Sequence, residues 1–282
     1  MKLTNPTAEI FVPDGISVKE ALARTTHMGI AAHQDDLEIM AYNGIMECFG
    51  KPDKWFTGVV VTNGSGSPRD NLYADYTDED MQKVRRVEQK KAAHVGEYAA
   101  QGLLDYTSAA IKDSRNAGVI ADLKAILDVA RPEVVFTHNL ADKHDTHVAT
   151  ALRAIKAIRE MPAEARPKTL YGAEVWRCLD WLNDEDKVAL DCAAHENLAA
   201  ALIGVYDSQI CGGKRYDLAT MGRRRANATY HASHGTDETT ALSFMMELTP
   251  LIKDKSLDIE EYVVDFILRF SDDVQGRIAK LR

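Results

Sequence analysis

Residues 29–40, GIAAHQDDLEIM, place a histidine and two adjacent aspartates directly after a run of small apolar residues. Such a run is typical of a buried strand, so the polar residues come where that strand should end. Residues 138–155, HNLADKHDTHVATALRAI, repeat this arrangement, because they follow the β-branched run at 133–137 and lead into an amphipathic helix. Both polar clusters are therefore predicted at the ends of strands.

Short β-branched runs alternate with amphipathic stretches through about the first 180 residues, which is the pattern of repeated strand–helix–strand units. We predict five strands, at 28–32, 55–62, 103–106, 133–137 and 169–177. We predict helices at 37–49, 78–101, 115–130, 148–158 and 186–204. The pattern indicates an α/β fold, a Rossmann-like three-layer sandwich whose mostly parallel, doubly wound sheet has the order 3-2-1-4-5.

The C-terminal part of the chain has a different pattern. Residues 206–240 are rich in Gly, Arg and His and show little periodicity, so we expect irregular structure there. A terminal helix is predicted over 257–281, with an apolar stripe that should dock on the body of the protein or on another subunit of a homo-oligomer. The stripe consists of Ile259, Val263, Phe266, Ile267, Phe270, Val274 and Ile278. We expect a catalytic domain over 1–210 and an extension, 211–282, packed on the same domain.

Composition excludes several classes of protein. The 282 residues are 45% hydrophobic, which allows one large core. A net charge of −9 leaves no excess of Lys and Arg for a nucleic-acid partner. No apolar run approaches the roughly 18 residues that a membrane span needs. The four cysteines form no CxxC pair and the N-terminus is too polar for a signal-peptide core, so we expect a cytoplasmic protein with a small-molecule substrate.

The two polar clusters should meet if strands one and four are neighbours, because loops at the carboxyl ends of such strands face one crevice. His33 and Asp36 would then converge with His147. Two imidazoles and one carboxylate suit Zn²⁺, which in catalytic sites keeps three protein ligands and an open position. His144 lies three residues before His147 and can face the same side. Asp35 is free to take a proton from water, so hydrolysis is predicted.

The chain resembles the PIG-L/LmbE-like family of zinc-dependent N-acetylglucosaminyl deacetylases in these two motifs, HQDD-L-E at 33–38 and HDTH at 144–147. The resemblance covers roughly residues 27–210. Weaker similarities are TNG at 62–64, RRVE at 85–88 and DSQ at 207–209. The chain departs from the family at Gln34, where Pro is usual, and at Leu37, which is inserted before the motif's glutamate. Neither change removes a ligand candidate, but both affect the rigidity of the loop.

The resemblance implies that His33, Asp36 and His147 ligate zinc, with Asp35 as general base and His144 as the acid or carbonyl-polarising partner. It implies a hydrolase that removes the N-acetyl group from N-acetylglucosamine joined to inositol, malate, a lipid or another sugar. Whether His144 or Asp35 protonates the leaving amine stays open. The weaker similarities suggest substrate-binding or supporting roles for Asn63, Arg85, Glu88, Ser208 and Gln209.

Other functions fit the same residues. Each cluster alone could be a helix cap or a solvated turn. Two histidines and a carboxylate also serve non-haem iron oxygenases, although the alternating strand–helix pattern argues against their usual barrel folds. An amidase acting on a larger N-acyl or thiol-sugar conjugate would use the same residues. A zinc- and sugar-binding relative without turnover is a further alternative, which the presence of Asp35 argues against.

Overall fold

The computed structural model describes residues 1–282, and its central feature is one sheet of eight strands. The strands are β1 (Glu9–Phe11), β2 (His27–Ala31), β3 (Phe56–Thr62), β4 (Ala100–Tyr106), β5 (Val134–His138), β6 (Thr169–Ala173), β7 (Lys187–Asp191) and β8 (Leu242–Glu247). The helices are α1 (Val18–Ala23), α2 (Asp36–Met40), α3 (Tyr42–Cys48), α4 (Asp78–Val95), α5 (Ser108–Lys112), α6 (Ala117–Ala130), α7 (Asp145–Arg159), α8 (Glu196–Gly204), α9 (Asp207–Ile210), α10 (Tyr216–Tyr230), α11 (Thr249–Lys253) and α12 (Ile259–Leu281).

The strand order is β1-β4-β3-β2-β5-β6-β8-β7. The five strands from β4 to β6 are parallel and follow the predicted order, so the predicted α/β fold class is confirmed. Three further strands pair antiparallel and extend the sheet at both edges, so the complete order differs from the prediction. The order reverses at β2, which lies between β3 and β5. This reversal opens a crevice at the carboxyl ends of β2 and β5.

Alternating side chains of the strands divide the core into two layers, one on each face of the sheet. In β2, Met28 and Ile30 join a cluster with residues of α6 and α7. Ala31 joins the opposite cluster, which includes Leu37 of α2 and residues of α3 and α8. Helices therefore cover both faces of the sheet, as a doubly wound fold requires.

Two glycines let α2 approach the sheet closely. A Cβ added at Gly29 of β2 would lie 2.5 Å from Leu37 Cδ2 and 2.9 Å from Phe56 Cζ. A Cβ added at Gly58 of β3 would lie 2.7 Å from Leu37 Cδ1. The Leu37 side chain therefore fills the space that two missing side chains leave. Leu37 is the residue inserted into the HQDD-L-E motif, and its burial anchors the first turn of α2.

The prediction of irregular structure over 206–240 is wrong, because α9 and α10 lie there. The periodicity of α10 is hidden because a charged residue occupies one of its buried positions. Arg224 is 3% exposed, and its Nη2 donates to the carbonyl oxygens of Glu38 and Ile39 at 2.7 and 3.1 Å. These carbonyls belong to the last residues of α2, where a cation is favourable.

The predicted helix at 186–204 is wrong in its first part, where β7 precedes α8. Strand β7 has only five residues, and a short apolar run does not distinguish strand from helix. Its partner β8 comes about fifty residues later and lies between β6 and β7. The chain after residue 211 thus contributes a strand to the main sheet.

Helix α12 packs on the body of the protein only along its first turns. Val263 is buried, and Ile259 and Phe266 pack against the core. Farther along the stripe, Val274 and Ile278 are 37% and 53% exposed. No helix combines the length and hydropathy required to cross a bilayer.

We predict that Gly29→Ala lowers the free energy of unfolding by about 1–3 kcal/mol, because the added methyl group overpacks the contact with Leu37 and Phe56. Urea unfolding followed by circular dichroism measures this change. Gly276→Ala is the control, because nothing lies within 4 Å of a Cβ there and alanine favours a helix. A Gly29→Ala midpoint equal to that of the parent would contradict the close approach of α2.

Candidate metal centre

The two polar clusters meet at the carboxyl ends of β2 and β5. His33 follows β2 by two residues, and Asp36 is the first residue of α2. His147 lies in the first turn of α7, which follows β5. Because β2 and β5 pair directly, the turns that leave them are adjacent. The two side chains therefore lie close together although Asp36 and His147 are 111 positions apart in the sequence.

Three candidate ligand atoms form a compact triangle. His33 Nδ1 lies 3.2 Å from His147 Nε2 and 3.3 Å from Asp36 Oδ2, and His147 Nε2 lies 3.5 Å from Asp36 Oδ2. Asp36 Oδ2 also accepts the His33 backbone N–H at 2.7 Å. Burial alone would raise the pKa of Asp36, but the imidazoles of His147 and His138 hold it well below its usual range.

The triangle fits a tetrahedral zinc ion. Atoms that bind zinc at about 2.0–2.2 Å in tetrahedral geometry lie roughly 3.3–3.6 Å from one another. The three observed separations are 3.2, 3.3 and 3.5 Å. Two nitrogens and one carboxylate oxygen are also a donor set that zinc prefers in catalytic sites. The residues present therefore fit the ion that the sequence predicted.

His138 is close to this triangle but is not available as a ligand. Its Nε2 lies 3.4 Å from Asp36 Oδ2 and accepts the backbone N–H of Ala32 at 2.8 Å. The lone pair of Nε2 is therefore used by an amide. The ring of His138 stacks on that of His147 with centroids 4.0 Å apart, so it restricts the plane of the His147 ring.

His144 lies on the solvent side of His147 and stacks on it with centroids 4.6 Å apart. Its Nδ1 accepts the backbone N–H of Thr146 at 3.3 Å, which caps α7. The neutral ring therefore carries its proton on Nε2 and acts as a hydrogen-bond donor rather than as a ligand. Burial and the neighbouring His147 and His33 lower the pKa of His144, which favours this neutral form.

Asp142 orients the ring of His147, a candidate ligand. Its Oδ2 lies 3.2 Å from His147 Nδ1, so Nε2 is left free for a metal. Backbone N–H groups of His144 and Val175 also donate to Asp142, at 2.9 and 3.3 Å. Such carboxylate–histidine pairs set the tautomer and basicity of zinc ligands.

Asp35 stands beside the triangle in a strained turn. Its φ of 85° is in the left-handed region, which aspartate tolerates better than most residues. Arg85 holds the turn, because its Nη2 donates to the Gln34 carbonyl and to Asp35 Oδ2, the latter at 3.3 Å. Gln34 Nε2 donates to the Thr62 carbonyl at 3.1 Å and ties the turn to β3. Burial raises the pKa of Asp35 to about 7, against the opposing effect of Arg85.

Glu38 lies behind the metal centre in a buried polar network. Its carboxylate accepts the hydroxyls of Tyr98 and Tyr206 at 2.8 and 2.7 Å and the amide of Gln89 at 3.0 Å. Burial raises the pKa of Glu38, although these hydrogen bonds oppose the rise. The network joins α2 and α4 to Tyr206, which lies between α8 and α9, and so supports the turn that carries Asp35 and Asp36.

A cleft of about 260 Å³ leads to the centre. His33, His144 and His147 lie among its walls, together with Asp35 and Asp36. The opposite walls come from the glycine- and serine-rich loop 64–68, Lys112, Trp176, Gln209 and Tyr216.

The structure separates the five weaker candidates into two groups. Arg85 and Gln209 line the cleft. Ser208 is fully buried and donates its hydroxyl and backbone N–H to Glu88, at 2.6 and 2.7 Å, so these two residues support the cleft from behind. Asn63 accepts the Ser65 backbone N–H at 3.2 Å and shapes the loop without lining the cleft.

Sequence reasoning missed several residues of the site. His138 and Asp142 lie in the quoted histidine-rich cluster, but nothing in their spacing shows that they support His147. A carboxylate five residues before a candidate ligand is a weak signal for such a role. Trp176 follows β6 and Tyr216 is the first residue of α10, and only their aromatic character marks them in the sequence.

The part of the chain that carries both motifs is similar to a known family of N-deacetylases. Residues 28–158 match the family model described as PIG-L: GlcNAc-PI de-N-acetylase, in agreement with the predicted resemblance of this part of the chain. A comparison with curated protein sequences finds no match.

Solved structures show the same fold at low sequence identity. A conserved protein, TT1542, from Thermus thermophilus is 17% identical with a TM-score of 0.62, over 82% of this chain and 98% of that one. N,N'-diacetylchitobiose deacetylase from Pyrococcus horikoshii is 16% identical with a TM-score of 0.60, over 84% and 88%. GalB, the 4-carboxy-2-hydroxymuconate hydratase from Pseudomonas putida KT2440, is 16% identical with a TM-score of 0.62, over 79% and 95%.

We predict that His147→Ala abolishes stoichiometric zinc binding, because one corner of the triangle is lost. Asp142→Asn should weaken zinc binding by about 10–100-fold, as expected for loss of an outer-shell partner. Competition with a chromophoric chelator measures both effects. His94→Ala is the control, because His94 is exposed near the end of α4, away from the cleft. A His147→Ala protein that binds zinc as tightly as the parent would show that the ligands are misassigned.

Proposed function

We propose that the protein is a zinc-dependent hydrolase that removes the N-acetyl group from an N-acetylglucosamine-type sugar conjugate. The observation that carries this proposal is the triangle of His33, Asp36 and His147, with separations of 3.2–3.5 Å, beside the buried carboxylate of Asp35. The family description, GlcNAc-PI de-N-acetylase, and the likeness to a chitobiose deacetylase support the choice of an acetylated amino sugar.

Three side chains of the site would hold a zinc ion. His33 Nδ1, Asp36 Oδ2 and His147 Nε2 would bind zinc from one side and leave the side toward the cleft open. A bound zinc ion supplies Lewis acidity, which lowers the pKa of water and polarises a carbonyl oxygen. Asp142 and His138 hold the ring of His147 in the orientation that this binding needs.

Asp35 is positioned to act as the general base. Arg85 contacts its Oδ2, and its other carboxylate oxygen makes no hydrogen bond within the protein. That free oxygen can accept a proton from the attacking water. Because the strained turn and Arg85 hold the carboxylate in place, little reorganisation is needed when the proton moves.

His144 is positioned to stabilise the developing oxyanion. Its Nδ1 is used by the Thr146 amide, so its Nε2–H is the donor that remains. The Nε2 proton of His144 would then form a hydrogen bond to the oxyanion of the tetrahedral intermediate. We therefore propose that Asp35 returns the proton it has taken to the leaving amine, which departs as acetate forms.

One alternative function is less well supported, and another must be separated by experiment. A zinc-binding relative without turnover would need neither Asp35 nor the Arg85 that holds it. An amidase for larger acyl groups would use the same groups, so a substrate panel separates it from a deacetylase. The hydratase among the structural relatives shows that this fold also serves another reaction, which makes direct detection of acetate necessary.

We propose a reducing compartment, such as the cytoplasm, as the place of action. All four cysteines are free thiols in the structure, which supports this proposal.

We predict that Asp35→Asn retains zinc but loses acetate release by at least about 10²-fold, because the base is removed and the ligands are not. A coupled acetate assay across N-acetylhexosamine conjugates measures the rate, and metal analysis measures zinc. Asp145→Asn is the matched control, since Asp145 is an exposed residue of the same HDTH motif. Turnover of Asp35→Asn at the parental rate would refute the assignment of the base.

We also predict that a chelator abolishes acetate release and that added zinc restores it, because the triangle has no other cation to polarise the carbonyl group. The same coupled assay, before and after dialysis against the chelator, provides the measurement. Full activity in protein shown to be free of metal would overturn the proposed mechanism.

A further inference from the structure

The last part of α12 projects from the body of the protein. At the start of the helix, the Tyr262 hydroxyl donates to the Glu247 carbonyl at 2.7 Å. Farther along, Arg269 Nη1 donates to Asp186 at 2.7 Å, and no side chain after Arg269 makes a hydrogen bond or ion pair with another element. All residues from 272 to 282 are exposed. About three helical turns therefore extend into solvent.

The projecting turns have no tertiary packing to stabilise them. Their side-chain bonds stay within the helix, where Gln275 Nε2 donates to Ser271 Oγ and Arg277 pairs with Asp273. A helical segment of this length without tertiary packing is only marginally stable in water. Gly276, in the interior of the segment, disfavours the helix further. The projecting turns therefore need a surface that covers their apolar side.

An apolar stripe with a symmetric spacing runs along this side of the helix. Its five members are spaced 3, 4, 4 and 3 residues apart and so share one face: Ile267, Phe270, Val274, Ile278 and Leu281. Phe270 is half-buried, and the other four are 37–79% exposed. The spacing is the same in both directions from Val274. Such a stripe is complementary to an antiparallel copy of itself, as a twofold interface requires.

The charges of α12 are also complementary to an antiparallel copy. Residues 260–273 carry five acidic side chains and one basic one, whereas residues 277–282 carry three basic side chains and no acidic one. In an antiparallel pair, the basic end of each helix lies beside the acidic part of the other. In a parallel pair, like charges would lie side by side, which is unfavourable. The charge distribution therefore selects the antiparallel orientation.

From the spacing and the charges together we propose that α12 binds α12 of a second copy of this chain, as an antiparallel pair with its twofold axis at Val274. Phe270 of each copy then lies level with Ile278 of the other, and Ile267 lies level with Leu281. The five exposed positions of one stripe thus cover the five of the other. None of these residues lines the metal-site cleft, so the pairing is independent of the proposed reaction.

The same register brings opposite charges together across the pair. Asp273 and Arg277 lie on one flank of the stripe, because they are four residues apart on the helix. In an antiparallel twofold pair, that flank faces its own copy. The register therefore places each Arg277 within one helical turn of the Asp273 of the partner subunit.

Sedimentation velocity of the full chain from about 1 to 100 μM tests the pairing, since two helix faces form a small interface of modest affinity. We expect the mass of the parent to rise with concentration toward that of two chains. Ile278→Asp should retain the circular dichroism spectrum of the parent and raise the dissociation constant by at least about 100-fold, because it buries an unpaired charge in the interface.

Ala279→Asp is the matched control, because it adds the same charge at the next residue, which is exposed on the opposite side of the helix. It should pair as the parent does. A parent that is monomeric at 100 μM (about the highest concentration tested), or an Ile278→Asp protein with the parental mass at every concentration, would overturn the inference. A monomeric parent that sediments with phosphatidylcholine vesicles would assign the stripe to a lipid surface instead.

Disulfide trapping tests the orientation. Val274→Cys should form a disulfide-linked dimer under mild oxidation, because the two copies of residue 274 meet at the axis. Leu281→Cys should not, since its two copies lie about 20 Å apart in the antiparallel register. The double variant Ile267→Cys/Leu281→Cys should again form the dimer. The parent with its four free thiols is the control. Trapping of Leu281→Cys as readily as Val274→Cys would contradict the antiparallel pair.

Discussion

The carboxylate of Asp36 is the constraint around which the rest of the structure is arranged. One of its oxygens accepts the His33 backbone N–H at 2.7 Å and lies 3.3–3.5 Å from nitrogens of His33, His138 and His147. A carboxylate that is 3% exposed needs compensating partners, because burial without them is costly. A divalent cation between Asp36, His33 and His147 would provide that compensation and would also join the two motifs.

The surrounding structure holds this carboxylate in place by packing and by hydrogen bonds. Leu37 packs into the space above Gly29 and Gly58 and brings α2 close to the sheet. Arg224 caps the carbonyls at the other end of α2. Because α2 has only five residues, these contacts, rather than its own hydrogen bonds, determine its position. The inserted leucine, which departs from the usual motif, is therefore part of the support of the site.

Much of the fold and the centre of the site could be predicted from the sequence because both depend on local patterns. The β-branched runs gave the five parallel strands, and the rule that ligands bind where strand order reverses joined His33 and Asp36 to His147. The antiparallel strands β7 and β8 could not be predicted, because they are short and pair across about fifty residues. Helix α10 was not predicted, because Arg224 is buried at a position where the periodic pattern of a helix needs an apolar residue.

The supporting residues were harder to predict for a different reason. His138 and Asp142 act through contacts with His147 that only the folded chain creates, so their roles are not visible in spacing. The sequence also cannot show that His138 and His144, which lie near the centre, are not ligands. Backbone amides occupy one nitrogen of His138 and one of His144, which removes both from the ligand set. The sequence alone leaves five residues as equal candidates for metal ligands: His33, Asp36, His138, His144 and His147.

The central claim is that one divalent ion joins the two motifs through three side chains. A crystal structure of the zinc-loaded protein with anomalous data at the zinc edge tests this claim most directly. We expect one strong peak bonded to His33 Nδ1, Asp36 Oδ2 and His147 Nε2 at about 2.0–2.2 Å. A peak bonded to His138 or His144 in place of His33, or no peak in this crevice, would contradict it.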